Sequence, residues 1–377
     1  MKSLLHLTGL LFSLLIMSGC GASYPSSVAP GIYSTTTGLG FSQERFYPEI
    51  NSNSFPEDQI INKKSVKVVE AQQLTKEKKE ELRTAQAAAM QQILVDTADL
   101  VSVNYAPGGV YIHPLQLYAD ETEVANIHWQ EYLTYLNQDS TVAFYQSQQP
   151  DTTVIQLNKT DYYRTAAGQV VSAYQYHPEY QFYPVVGISY EQAADYCKWR
   201  SNVVTELVKS DPNNKEKVQV IYRLPTEKEW EIIAAAGYDK NTYPYSSATG
   251  AIRKYKLNPV AADFLSRKIT AQVPAEQVKK DIVKEEVQDN MFNVRRTLPY
   301  FLQVNTPDYI YSGTPNDYGL LHVQGNVAEM VAEKGIAKGG SWKDKLEDSK
   351  ITDRQLYSSP SDKVGFRCVC EIKPMEK

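Results

Sequence analysis

The chain has 377 residues, room for one large domain or two ordinary ones. Its 42% hydrophobic and 22% charged content is that of a folded globular protein, and a net charge of −5 excludes the broad basic surface a nucleic-acid partner needs. Four cysteines (Cys20, Cys197, Cys368, Cys370) form no CxxC pair, and the scattered histidines His6, His113, His128, His177 and His322 offer no zinc or three-histidine iron spacing.

The chain opens with Lys2, an apolar run from Leu4 to Met17, and small residues before Cys20. That is the layout of a secretory signal, and the run is shorter than the ~20 apolar residues of a membrane span. Met17-Ser18-Gly19-Cys20 resembles a bacterial lipobox, which makes residues 1–19 a lipoprotein signal peptide and Cys20 the lipidated N-terminus. Several acyl chains, at about 0.8 kcal/mol per buried CH₂, anchor such a protein stably. Gly21 after the cysteine lacks the acidic retention signal of inner-membrane lipoproteins, which points to the periplasmic face of the outer membrane.

Residues 20–65 are rich in Ser, Pro, Gly, Thr and Asn and read as a flexible tether. Residues 66–102 read as a helical segment: strong helix formers carry Leu82, Ala85, Ala89 and Ile93 on one narrow face. A helix packed on the domain is favoured over a docking helix for a partner, because charge dominates its first half.

The domain spans 103–372. Alternation from Val110 to Tyr118 predicts a strand, and helical spacing follows with Val124, Ile127, Tyr132 and Leu133 apolar. In a second strand-to-helix unit, Ser189 with Gln192 forms a capping box, and Ala193, Tyr196, Cys197 and Trp199 supply the buried side. Thr226 with Glu229 caps a third helix, which Gly237 closes.

The pieces "APGGVYI", "YPVVGISYEQAADYCKWRS", "YRLPTEKEWEIIAAAG", "PNDYGLLHVQGNVAEM", "KGGSW" and "GFRC", in this order, resemble the sulfatase-modifying-factor family, founded on the formylglycine-generating enzymes. The resemblance implies an α+β, loop-rich variant of the C-type lectin fold. Combined with the lipobox, it is most similar to the gliding-motility and type IX secretion lipoproteins, which implies a structural role with other envelope proteins as partners.

The family's oxidases bind Cu(I) through two cysteines after the Gly-Gly-Ser-aromatic motif, because a soft ion wants soft sulfur. Here Gly339, Gly340, Ser341 and Trp342 match the motif, while Asp344 and Ser349 stand at the cysteine positions. No catalytic residue is assigned, and the chain reads as a pseudoenzyme. The resemblance also implies a disulfide between Cys197 and Cys368, and a calcium site with Gly325, Val327 and Glu329 as ligands. Calcium is thus the one cofactor considered, with His322 a poor fourth ligand. Core hydrogen bonding is the preferred reading of Glu329 and Asn326. Arg223, Glu229, Trp230, Asn326, Trp342 and Arg367 are expected to lock the loops together.

Two alternatives stay open. One is a copper oxidase with unorthodox ligands, such as Cys368 and Cys370, two apart on one strand face. The other is a calcium-dependent glycan or peptidoglycan binder, suggested by the lectin-like fold alone. An insertion at about 250–305 carries Val278, Ile282, Val283 and Val287 at helical spacing; a solvated helix and a partner-binding surface fit it equally well.

Overall fold

The computed structural model describes residues 36–38, 105–157, 162–164, 168–211, 214, 216–245, 292–295 and 306–375, and the backbone of 67–69, 252–256 and 286–290. In chain order its main elements are β1 (Lys67–Val69), β2 (Gly109–Ile112), β3 (Leu117–Asp120), α1 (Asn126–Asp139), α2 (Val142–Ser147), β4 (Tyr163–Arg164) and β5 (Val170–Val171). Then come α3 (Tyr190–Ser210), β6 (Val218–Arg223), α4 (Glu227–Ala235), β7 (Ile252–Lys256), β8 (Glu286–Asn290), β9 (Ala328–Met330), β10 (Ile336–Lys338), β11 (Gln355–Leu356), β12 (Val364–Gly365) and β13 (Val369–Pro374). The expected signal peptide, the expected lipidation site Cys20 and residues 70–102 of the expected helical segment lie outside the described residues.

A central antiparallel sheet runs in the order β2-β3-β13-β6. Its last strand in sequence, β13, lies in the middle and pairs with β6 from Val369–Arg223 to Pro374–Val218. The period-2 alternation of these strands divides the core. Val218, Val220, Tyr222, Cys368 and Cys370 face α1 and α3, where Trp129, Tyr132, Tyr196, Trp199 and Phe366 form an aromatic cluster. Val110, Ile112, Leu117, Ala119 and Val369 face the other way, onto Trp230, Ile233 and Ala234 of α4. Helices therefore cover both faces of the sheet.

A second sheet, β11-β10-β9-β12, carries the Gly-Asn-Val loop. In it β9 and β12 are parallel, with Val364 opposite Ala328. The mixed α+β architecture matches the expectation. A third sheet, β1-β7-β8, joins the N-terminal segment to the insertion.

Both capping boxes form as read. Ser189 accepts from the Gln192 amide at 3.2 Å while Gln192 accepts from Ser189 N–H at 2.7 Å. Thr226 and Glu229 do the same at 3.2 and 2.8 Å.

Other expectations need correction. The single strand over 110–118 is a hairpin, because Pro114 and the left-handed Gln116 (φ 52°) turn the chain back between β2 and β3. The helix expected to carry Val124 begins at Asn126; Val124 precedes it, with its N–H bonded to the Phe366 carbonyl. Ala236, at φ 47°, caps α4, with Gly237 one residue beyond. Lys67–Val69, at the head of the expected helical segment, pairs as a strand with Ile252–Lys254. Val287, the last of the helically spaced valines, lies on β8, so strand pairing overrides the local period there. Thr36 and Thr37, inside the expected tether, are buried against the domain.

Candidate functional site

The Gly-Gly-Ser-Trp turn sets the surroundings of Asp344 and Ser349, the positions at which the sequence resemblance expects the oxidases' thiols. Gly339 and Gly340 both have positive φ, at 89° and 70°. A Cβ on Gly340 would lie 2.0 Å from Ser349 Oγ, so only glycine lets the turn close on Ser349. Ser349 is fully buried and its hydroxyl donates to the Lys345 carbonyl at 2.9 Å. The other position is equally engaged. Asp344 Oδ2 accepts from Ser341 N–H at 3.0 Å and Ser341 Oγ–H at 2.5 Å, and Oδ1 accepts from Lys363 Nζ at 3.0 Å. A carboxylate held by an ammonium, a hydroxyl and an amide is a structural anion. Neither side chain offers a soft electron pair to copper.

The cysteines elsewhere are no substitute. Cys197 and Cys368 stand with their sulfurs 3.5 Å apart, both buried. They are free thiols, so the expected disulfide is not formed in this structure, although its two partners are brought together. Burial pushes the Cys370 thiol up to about 12 and the Cys368 thiol well above its ordinary range. Burial thus keeps both as neutral thiols in the metal-free protein.

The proposed calcium ligands do not fit calcium either. Glu329 is fully buried and bonded to protein donors on both oxygens. Arg367 Nη2 reaches Oε1 at 2.5 Å, Arg367 Nε reaches both oxygens at 2.8 Å, and Trp230 Nε1–H donates to Oε2 at 2.7 Å. Arg367 donates further to the carbonyls of Asp120 and Leu321, at 2.9 and 2.7 Å. A divalent ion there would have to displace a guanidinium from a carboxylate. Gly325 and Val327 flank the turn, and the carboxylate beside them is Glu123, which accepts from Asn326 Nδ2 at 3.2 Å. Among the described residues no group of three or more His, Cys, Asp or Glu side chains is placed to hold a metal ion.

What the expected locking residues do is now explicit. Trp230, Glu329 and Arg367 form one buried cluster joining α4, β9 and the segment before β13. Asn326, left-handed at φ 59°, accepts on Oδ1 from Asn293 Nδ2 (2.9 Å) and Asp308 N–H (2.6 Å), and donates through Nδ2 to Glu123 (3.2 Å). It thereby fastens the C-terminal end of the long insertion, and the chain that follows it, to the core. Trp342 donates its indole N–H to the Asp362 carbonyl at 2.9 Å. Arg223 and Glu229 stand apart from this cluster, at the sheet edge. There Arg223 holds Glu229 through two 2.7 Å bonds and Glu371 through a third.

Three charged groups escaped the sequence reading. Lys338 is fully buried, with Nζ 3.1 Å from Glu227 and 2.9 Å from Glu231 and near the Trp230 ring. The i,i+4 spacing of those two glutamates was the available signal. Arg200 and Asp120 pair at 2.7 Å, buried and far apart in sequence, with no local signal. Glu123 is a third; burial and the neighbouring Glu329 charge push its carboxyl well above the ordinary range.

A family model described as a sulfatase-modifying factor enzyme 1-like domain matches residues 106–372. The chain is 26% identical over 201 residues to a Bos taurus protein named inactive C-alpha-formylglycine-generating enzyme 2, covering 49% of this chain and 50% of the relative. The Mus musculus protein of the same name is 25% identical over 200 residues, covering 49% and 48%. The chain thus spans about half the length of these curated relatives. Among solved structures, CarF aligns with 69% of this chain and 87% of its own at TM-score 0.38 and 16% identity. PvdO from Pseudomonas aeruginosa aligns with 68% and 80% at TM-score 0.34 and 17% identity. With the family model spanning the whole folded core, from the turn before β2 into β13, the chain belongs to the sulfatase-modifying factor enzyme 1-like domain family.

Proposed function

We propose that this protein is a catalytically silent member of its family, acting as a structural, partner-binding component of the bacterial envelope. The observation that carries the reading is the Asp344–Lys363–Ser341 knot, at the position to which the sequence resemblance assigns a copper-binding thiol. A scaffold needs the family's loop-locking cluster and has no use for the thiols. The name "inactive" borne by the two mammalian relatives supports the same reading. The lipobox at Cys20 supports anchoring in the outer membrane on its periplasmic face, within a gliding-motility or type IX secretion assembly. The family's lectin-like framework, without its catalytic chemistry, suits a rigid platform that presents loops to other proteins.

The test has two arms. Purified protein is titrated with Cu(I) and assayed for oxygen consumption with a thiol peptide. No stoichiometric copper and no turnover are expected; turnover abolished by Cys370→Ser would establish an oxidase instead. Crosslinking in intact envelopes, followed by capture of this chain, is expected to recover specific envelope proteins. Recovery of peptidoglycan alone would replace the scaffold with a glycan binder.

A further inference from the structure

Residues 36–38 lie far upstream of the domain, yet Thr36 and Thr37 are each only 1% exposed. The contacts are specific. Arg200, 2% exposed on α3, donates its Nε–H to the Thr36 carbonyl at 2.6 Å. The same guanidinium reaches Asp120 Oδ2 at 2.7 Å and the Pro107 carbonyl at 2.9 Å. The Thr36 hydroxyl is 3.0 Å from the Tyr196 hydroxyl, and Thr37 Oγ–H donates to Glu131 Oε1 at 2.6 Å. Glu131 is itself 5% exposed, on α1. Gly38 turns the segment away at φ 78°, where a Cβ would press on Pro107 Cγ at 3.1 Å.

We infer that the cleft bounded by Arg200 and Tyr196 of α3, Glu131 of α1 and the Pro107 turn is a built seat for the chain's own Thr36–Gly38 segment, which straps the N-terminal region to the domain. The reasoning is energetic. A buried guanidinium and a buried carboxylate are costly unless hydrogen-bonded, and the strap brings an acceptor to one and a donor to the other. A segment packed by chance would bring apolar side chains to an apolar groove. This one matches a cation with a carbonyl and an anion with a hydroxyl.

The strap has a mechanical consequence that rests on the lipoprotein reading of Cys20. Fully extended chain covers about 3.5 Å per residue. From Cys20 to Tyr105 that allows a reach of about 300 Å; from Cys20 to Thr36 it allows at most about 55 Å. A seated strap therefore keeps the domain within that shorter reach of its anchor.

The experiment uses the full chain in aqueous solution, so it reads the strap whether or not Cys20 is lipidated. A thiol is introduced by Thr37→Cys, and its maleimide labelling rate is followed by mass spectrometry of the peptide containing position 37. The same probe is then placed in a chain that also carries Thr36→Arg and Gly38→Val. These set a second cation against Arg200 and a β-branched residue at a left-handed position. Labelling in the first chain is expected to be at least tenfold slower than in the second. Glu131→Ala, made from the cleft side with the strap sequence intact, is expected to accelerate labelling in the same direction. Equal rates in the first two chains, or no acceleration by Glu131→Ala, would overturn the assignment.

Discussion

Asp344 is held as a structural anion beside the Gly-Gly turn. The glycines around it still make the turn, and the carboxylate fills the space with an ion pair. Arg367 is the opposite case, a residue the fold depends on. It is fully buried and satisfies Glu329 together with two backbone carbonyls. Arg367→Ala leaves a buried carboxylate without its cation and is expected to lower unfolding free energy by about 3–5 kcal/mol, read by urea denaturation. Replacing both partners, Arg367→Met with Glu329→Met, is expected to cost less than the single change. Glu227 provides a pH signature. Hydrogen bonds from Arg354, then Lys338, hold its carboxyl down at about 2, from an ordinary 4.5. Between these values the unfolded chain binds the proton that the folded chain refuses, so stability rises with pH across that window. Acidifying from pH 5 toward 2 should therefore remove this contribution in the native sequence. Glu227→Gln should flatten that part of the stability profile.

At the scale of elements, α3 and β13 organise the molecule. Helix α3 contributes Tyr196 and Trp199 to the aromatic cluster, Arg200 to the strap seat and Cys197 to the contact with Cys368. Strand β13 supplies the middle of the central sheet. We propose that the two thiols close to a disulfide in an oxidising compartment, tying the helix to the segment before β13. The residues are 171 apart in sequence, and chain-entropy arguments give about 5 kcal/mol for a loop that long, if the bond forms without strain. Air-oxidised protein is expected to yield a linked Cys197–Cys368 peptide on non-reducing digestion and a higher urea midpoint than reduced protein. Persistence of both free thiols under oxidant, with no change in midpoint, would refute it.

For the whole molecule, the strap and the insertion sheet tie the upstream chain to the domain at two places, through Thr36–Thr37 and through β1 against β7. The chain upstream of the domain is thus partly built into the folded structure. If Cys20 carries the anchor, Cys20→Ala is expected to move the protein from the membrane fraction to the soluble fraction, read by fractionation and immunoblot. The variant's folded stability should stay unchanged. Retention in the membrane fraction would point to another mode of attachment.

The chain alone determined what depends on neighbours in sequence. Both capping boxes were legible because a cap and its partner lie three residues apart, and the buried side of α3 was legible because apolar spacing follows the helical repeat. The expectation that thiols are missing after the Gly-Gly-Ser-Trp motif rests on the residue types at Asp344 and Ser349 alone. Tertiary structure alone decided the long-range pairings. Arg200 finds Asp120 and Thr36, Glu329 finds Arg367 and Trp230, and Val287 joins a strand despite its helical spacing. The physical reason is that buried charges and sheet edges are satisfied by whichever groups the fold brings within hydrogen-bond reach. That choice is made in space, among residues the local pattern cannot connect.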